Sequence, residues 1–117
     1  MRMLKAFKTF AADKCALRKT YGADLHNVEV EPEIVSAADV IFAIESYLNR
    51  TVTKEQLVQW VNVLWFTDLY EYESACEDTI AEVMTLLESI DEEEVAFSEE
   101  EYREMIEALR RNRPVKL

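Results

Sequence analysis

The chain of 117 residues contains one glycine and two prolines. Strand-rich folds use Gly and Pro in their turns, so this scarcity argues against a sheet protein and favours helices. Half of the residues are apolar, and a chain of this length can bury a core within one domain. The composition therefore predicts an all-α fold, a single domain over residues 1–117 built as a bundle of four to five helices.

Histidine and cysteine are equally scarce. His26 is the only histidine, which leaves no Ser–His, Cys–His or two-histidine metal arrangement within the chain. Cys15 and Cys76 follow no metal or redox spacing and indicate reduced thiols in a cytoplasmic protein. There is no glycine-rich phosphate loop, and residues 91–102 lack the glycine and final glutamate of a calcium loop. We therefore expect no enzymatic activity, no cofactor and no metal site.

Long apolar runs are missing as well. The longest uncharged run, residues 56–67, contains Gln59 and Asn62 and is too short to cross a bilayer. Near the beginning of the chain, Lys5 and Lys8 interrupt any apolar segment that a secretion signal would need. We expect neither a membrane span nor a secretion signal.

The first third of the chain predicts a basic helix and a connector. Apolar residues recur at helical spacing over residues 3–20, and Gly22 is suited to a left-handed helix end. We interpret residues 21–35 as a loop or an extended connector. A short strand through Val28 and Val30 is the alternative, but nothing further along the chain offers it a partner.

Helix starts in the acidic core, residues 36–112, carry capping signals in which a Ser or Thr precedes an acid or amide by three positions. They stand at Ser36 with Asp39, Thr53 with Gln56, Ser74 with Glu77, and Ser98 with Glu101. The helix after Thr53 is apolar on nearly every side, except for a stripe of Glu55, Gln59 and Asn62. This pattern predicts a buried central helix with Trp60 and Trp65 in the core.

Two later helices show one apolar face each. The first begins near Ser74, and its apolar residues step by four and three positions: Cys76, Ile80, Val83, Leu87 and Ile90. The last helix is predicted to end at Pro114 and to bury Tyr102, Met105, Ile106 and Leu109.

Charge is divided unevenly along the chain. Residues 68–107 contain sixteen Asp and Glu against one basic residue, Arg103, whereas residues 1–22 carry six basic residues and residues 110–116 four. Such an acidic surface repels nucleic acid and anionic membranes and attracts basic proteins. The basic ends either fold back onto the acidic face or bind elsewhere, and the sequence leaves both open.

Like-charged pairs at i,i+4 suggest a partner that neutralises them. Glu73–Glu77, Asp78–Glu82 and Glu100–Glu104 each cost roughly 0.2–0.5 kcal/mol on a helix. Residues 36–111, with the capped tryptophan-rich central helix, the acidic helix after it and the acid-capped last helix, resemble the immunity proteins of colicin and contact-dependent growth inhibition systems. These proteins neutralise basic bacterial toxins.

The resemblance implies a non-enzymatic acidic inhibitor that covers the nucleic-acid-binding or active-site cleft of a basic toxin. Its implied contact residues are Glu73, Glu77, Asp78, Glu82, Asp91, Glu92, Glu93, Glu94, Glu100 and Glu104. Tyr70 and Tyr72 are either aromatic anchors of that interface or packing residues at a helix start. The alternative function is a structural or regulatory subunit, in a homodimer or hetero-complex, whose acidic surface only confers solubility.

Overall fold

The computed structural model describes residues 3–25, 28–91 and 95–117, which are mostly helical. Six α-helices and a two-stranded sheet form this described part of one compact domain. The elements follow in the order α1 (Met3–Lys8), α2 (Lys14–Tyr21), β1 (Glu33–Val35), α3 (Ala37–Leu48), α4 (Lys54–Phe66), β2 (Tyr70–Tyr72), α5 (Glu77–Glu88) and α6 (Glu99–Arg111). The helical class is confirmed, with more helices than predicted and a small sheet besides.

The basic N-terminal helix predicted over residues 3–20 is wrong, because the chain breaks into α1 and α2. Phe10 adopts a positive φ of 65°, which ends α1. The Phe10 ring thereby stacks on Trp60, with the ring centroids 5.9 Å apart. A new helix then starts at Asp13, whose side chain accepts a hydrogen bond from the backbone N–H of Ala16 at 2.8 Å.

Gly22 ends α2 as predicted from its conformational freedom. Its N–H donates to the carbonyl of Arg18 at 2.8 Å, and its φ is +96°. Its ψ of 171° lies outside the left-handed helical region, so the chain leaves α2 in an extended direction.

A parallel pair of strands replaces the strandless connector that we expected. Glu33 lies opposite Tyr70 and Val35 opposite Tyr72. Parallel strands need a long crossover, and here α3 and α4 provide it. The strand therefore lies after Pro32 and has a partner in β2, which corrects the interpretation of residues 21–35.

The capping signal at Ser74 is wrong, because a 3-10 turn, Ser74–Cys76, precedes α5, and α5 begins at Glu77 without a side-chain cap. The other three capping boxes are confirmed, each with both of its hydrogen bonds. The distances are 2.9 and 3.2 Å between Ser36 and Asp39, 2.7 and 3.1 Å between Thr53 and Gln56, and 3.0 and 3.1 Å between Ser98 and Glu101. Each box satisfies backbone N–H groups that the first turn of a helix leaves unpaired.

The central position predicted for α4 is confirmed. It contacts α1, α3, α5 and β2, and Leu57, Trp60 and Val61 are completely buried. Trp65 is only half-buried and stacks on Tyr72, with ring centroids 5.7 Å apart. The apolar faces predicted for α5 and α6 are buried in full. Of the helices in the described ranges, none combines the length and apolar character that crossing a bilayer requires.

Candidate functional site

The start of α5 places acidic side chains along a groove of about 500 Å³, which we call the acidic groove. Because the apolar face of α5 turns inward, the acids at the other positions of the helix point outward. Glu77, Asp78 and Glu82 line the groove and are exposed. The other lining residues are Ser74, Ala75, Thr79, Asn112, Arg113 and Pro114.

Asn112 forms part of the wall of the groove. It ends α6 in the left-handed conformation, with φ 49° and ψ 55°, two residues before Pro114, which was predicted to stop the helix. Its side-chain amide donates to the carbonyl of Ala75 at 2.8 Å and accepts from the hydroxyl of Thr79 at 3.1 Å. The end of α6 is thereby fastened to the start of α5.

Beyond this wall, residues 113–117 fold back over the acidic helices, and we call them the C-terminal segment. The guanidinium of Arg113 donates to both carboxylate oxygens of Glu104, at 2.6 and 2.9 Å. The backbone N–H of Lys116 donates to Glu104 at 2.8 Å, and that of Val115 to Glu82 at 2.6 Å. For this end of the chain, folding back onto the acidic face is confirmed.

The contacts with the C-terminal segment change the electrostatics of Glu104. The hydrogen bonds from Arg113, followed by that from the backbone of Lys116, lower the pKa of Glu104 to about 2. Glu104 therefore stays ionised well below neutral pH. Glu104 and Glu82, both in the contact set implied by the resemblance, thus already have hydrogen-bond partners within the chain.

Other acids of that set are without an ion-pair partner in the described part of the chain. Glu77, Asp78 and Glu100 are exposed, and within residues 3–25, 28–91 and 95–117 they form no ion pair. Glu73, just before the groove, accepts a hydrogen bond from the thiol of Cys76 at 3.3 Å.

Asp91 does not belong to the groove. Asp91 ends the 3-10 turn Ser89–Asp91, which follows α5 directly. Thirteen helical positions correspond to about 20 Å along a helix axis, which separates Asp91 from Asp78. Glu92, Glu93 and Glu94 lie outside the described residues, as does His26.

The two tyrosines predicted as anchors are held inside the domain. Tyr70 is buried, and its hydroxyl donates to the carbonyl of Leu4. The hydroxyl of the half-buried Tyr72 donates to the carbonyl of Leu64 at 3.0 Å. Burial raises the pKa of both phenols. The packing interpretation holds for Tyr70, and Tyr72 is already stacked and hydrogen-bonded.

Sequence reasoning missed Lys8, which is buried at the junction of α1, β1 and α3. Its ammonium contacts Glu33 at 2.8 Å and Asp39 at 3.0 Å, and it donates to the carbonyl of Ile34 at 2.9 Å. The indole N–H of Trp60 donates to the backbone carbonyl of Lys8 at 2.8 Å. We call this arrangement the Lys8 clamp.

Charge compensation outweighs burial at the Lys8 clamp. Burial by itself lowers the pKa of Lys8, but the hydrogen bonds and charges of Glu33 and Asp39 raise it above the usual value. The signal in the sequence was a lysine at the i+4 position of the Leu4 stripe, where an apolar residue is expected. A lysine on an apolar face must be paired if it is buried.

A second cleft, of about 360 Å³, lies between α2 and α4 and has the opposite charge. Lys14 and Arg18 stand over an apolar floor that includes Leu25 and Val63. Acidic and basic surfaces are thus separated on this molecule. Among the described residues, no group of three or more His, Cys, Asp or Glu side chains is placed to hold a metal ion.

Comparison of the chain with protein-family models, with curated proteins and with solved structures finds no match in any of the three.

Proposed function

We propose that the protein is a non-enzymatic binding module, an acidic immunity or inhibitor protein that neutralises a basic toxin or nucleic-acid-binding protein. It does so by covering the cationic surface of that partner. The acidic groove at the start of α5 is the centre of the contact, and Glu77 and Asp78 are its principal charges. Cytoplasmic placement is part of the proposal, because the exposed Cys15 and the buried Cys76 are both free thiols.

The observation that carries this proposal is the pair of adjacent, exposed and unpaired acids on a concave surface. Glu77 and Asp78 lie in the first turn of α5, where the helix dipole favours negative charge. Acidic residues that only confer solubility do not need to line a concave surface. A groove of this size accepts an Arg or Lys side chain, and complementary charge accelerates association by orders of magnitude.

The test measures the association rate with a basic toxin candidate encoded beside this gene. The variant Glu77→Lys with Asp78→Lys is compared with the wild type, and Glu82 is left intact because it holds the C-terminal segment. We expect association to slow by about tenfold or more. The wild-type rate should also fall between about 0.01 M and about 0.15 M salt, as the screening length shortens from about 30 Å to about 8 Å.

A matched control separates the groove from the net charge. Glu31→Lys with Glu55→Lys produces the same change in net charge, both residues are exposed, and neither lines the groove. Glu55 also lies in the first turn of a helix, so its reversal has a comparable effect on the helix dipole. Unchanged binding by the groove variant, or equal slowing by both variants, would refute the acidic groove as the binding site.

The alternative, a structural or regulatory subunit, draws on a separate observation. Ile34 and Phe42 are 48% and 47% exposed, and the Phe42 ring lies 6.4 Å from that of Phe10. Exposed apolar side chains of this kind are covered in oligomers. Sedimentation tests the homodimer: a salt-resistant assembly that dissociates on Phe42→Ser supports it, and a monomer at every salt concentration rules it out.

A further inference from the structure

We propose that the C-terminal segment occupies the place of an extended basic segment of the partner, and that the acidic face binds such a segment in exchange for residues 113–117. This inference rests on the proposed function for the partner's identity and adds which part of the partner is recognised. The ligand class is an extended peptide with an arginine or lysine followed by free backbone N–H groups.

The contacts of the C-terminal segment define this ligand class. Its arginine binds one carboxylate through two nitrogens, the geometry that gives Arg–carboxylate pairs their strength and specificity. Two successive backbone N–H groups, those of Val115 and Lys116, then bind Glu82 and Glu104. Backbone N–H groups are present in any extended chain, so only the basic side chain makes the recognition sequence-dependent.

The C-terminal segment is built to be released without unfolding the domain. Asn112 ends α6 and ties it to α5 through its own side chain. Within residues 113–117, the backbone N–H of Arg113 also donates to the carbonyl of Ala108 at 3.0 Å, and this bond does not require the Arg113 side chain. The ion pair of Arg113 with Glu104 is partly open to water, at 25% and 22% exposure, and Leu117 is 57% exposed. Water can therefore compete for the hydrogen bonds of this ion pair when the C-terminal segment is displaced. Val115 adds a partly buried apolar contact.

Release would complete the acidic surface. Glu82 and Glu104, which now bind the C-terminal segment, would join Glu77 and Asp78 beside the acidic groove. The departure of Arg113 and Lys116 would also remove two positive charges from the same face. Once a basic segment of the partner has displaced the C-terminal segment, it therefore meets a stronger negative potential at the acidic face.

The experiment uses the full chain with Arg113→Glu, which places like charges at Glu104 and frees the C-terminal segment. Arg111→Glu is the matched control, because it makes the same charge change in an exposed pair with Glu107 on α6. The probe is a synthetic peptide, Gly-Arg-Pro-Val-Lys-Leu, and a second peptide carries glutamine in place of its Arg and Lys. Circular dichroism verifies that both variants are folded.

Binding is followed by NMR through the carboxyl carbons of Glu82 and Glu104. We expect saturable shifts in the Arg113→Glu chain, with at least about tenfold tighter binding than in the wild type and the Arg111→Glu control. The reason is that a tethered segment competes at an effective concentration in the millimolar range. The glutamine peptide should not bind. The pKa of Glu104 should be about 2 in the wild type, rise in the Arg113→Glu chain and fall again when the basic peptide binds.

Two outcomes overturn the exchange. One is the absence of shifts in the Arg113→Glu chain at about 10 mM peptide, above the millimolar range of a weak complex. The other is equal peptide affinity in the wild type and the Arg113→Glu chain. Neither involves the toxin, so the proposed function can fail in the Glu77→Lys with Asp78→Lys test while the peptide result stands, and the reverse also holds.

Discussion

A basic side chain near each end of the chain binds acidic side chains, and the two do so in different settings. Lys8 is buried, with 7% of its side chain exposed, and contacts two carboxylates and a backbone carbonyl that belong to β1 and α3. Arg113 is 25% exposed and binds a single carboxylate on α6. The first pair closes the core of the domain, whereas the second lies on its surface. The two basic ends of this acidic protein therefore serve different purposes, one structural and one exchangeable.

The largest loss of stability is expected when the buried ion pairs of Lys8 are removed. Lys8→Met removes the cation and leaves Glu33 and Asp39 without compensation. Removal of one partner from a buried ion pair lowers the free energy of unfolding by about 3–5 kcal/mol. Urea unfolding measures the loss, with Lys5→Met as the control on the exposed face of the same helix. A loss no larger than that of the control would show that the Lys8 clamp is not structural.

Alkaline pH tests the buried Lys8 without mutation, together with two buried tyrosines. The pKa of Lys8 is raised, and burial raises the pKa of Tyr102 to about 12 and that of Tyr70 further. Groups with a raised pKa stabilise the fold fully below their unfolded values, about 10 for Tyr and 10.4 for Lys. Their contribution is lost as the pH rises through the folded values. Urea midpoints should be level from pH 8 to the start of this range and then fall, and Lys8→Met should remove part of the decline.

The exposed ion pair of Arg113 with Glu104 should respond to acid, with a smaller effect on stability. Glu104 has a lowered pKa of about 2, so its contribution is present above the usual carboxyl range and is lost as the pH falls through 2. The amide NMR signal of Lys116, which donates to Glu104, should stay constant down to the usual carboxyl range and shift below it. In Arg113→Gln the same signal should shift at higher pH, while the thermal midpoint changes less than in Lys8→Met. Identical pH profiles in both chains would contradict the role of Arg113.

Residues close together in sequence were the predictable part of this fold. Each capping box joins residues three positions apart, such as Ser98 and Glu101, and its pattern stands in the sequence. The buried faces of α5 and α6 follow from helical periodicity in the same way. The candidate site was predictable as far as the outward charges of α5, for example Glu77 and Asp78.

Contacts between distant residues were not predictable. Glu33 pairs with Tyr70, although α3 and α4 lie between them in the sequence. Lys8 binds Glu33, which is 25 positions away in the sequence. The break before Asp13 also depends on a distant contact, because the Phe10 ring turns toward Trp60. Periodicity describes one element at a time and contains no information on which elements meet. For the same reason, periodicity could not predict that the C-terminal segment hydrogen-bonds to Glu82 and Glu104.

The left-handed turn at Asn112 has a consequence for how this chain tolerates change in its sequence. Because the Asn112 side chain fastens α6 to Ala75 and Thr79, the five residues that follow carry little of the architecture. Substitutions in residues 113–117 change how strongly this segment competes with a partner for the acidic face, and they leave the residues of the core unchanged. The segment is thus a natural place for adjusting affinity, and a fluorophore attached near Leu117 would report its release directly.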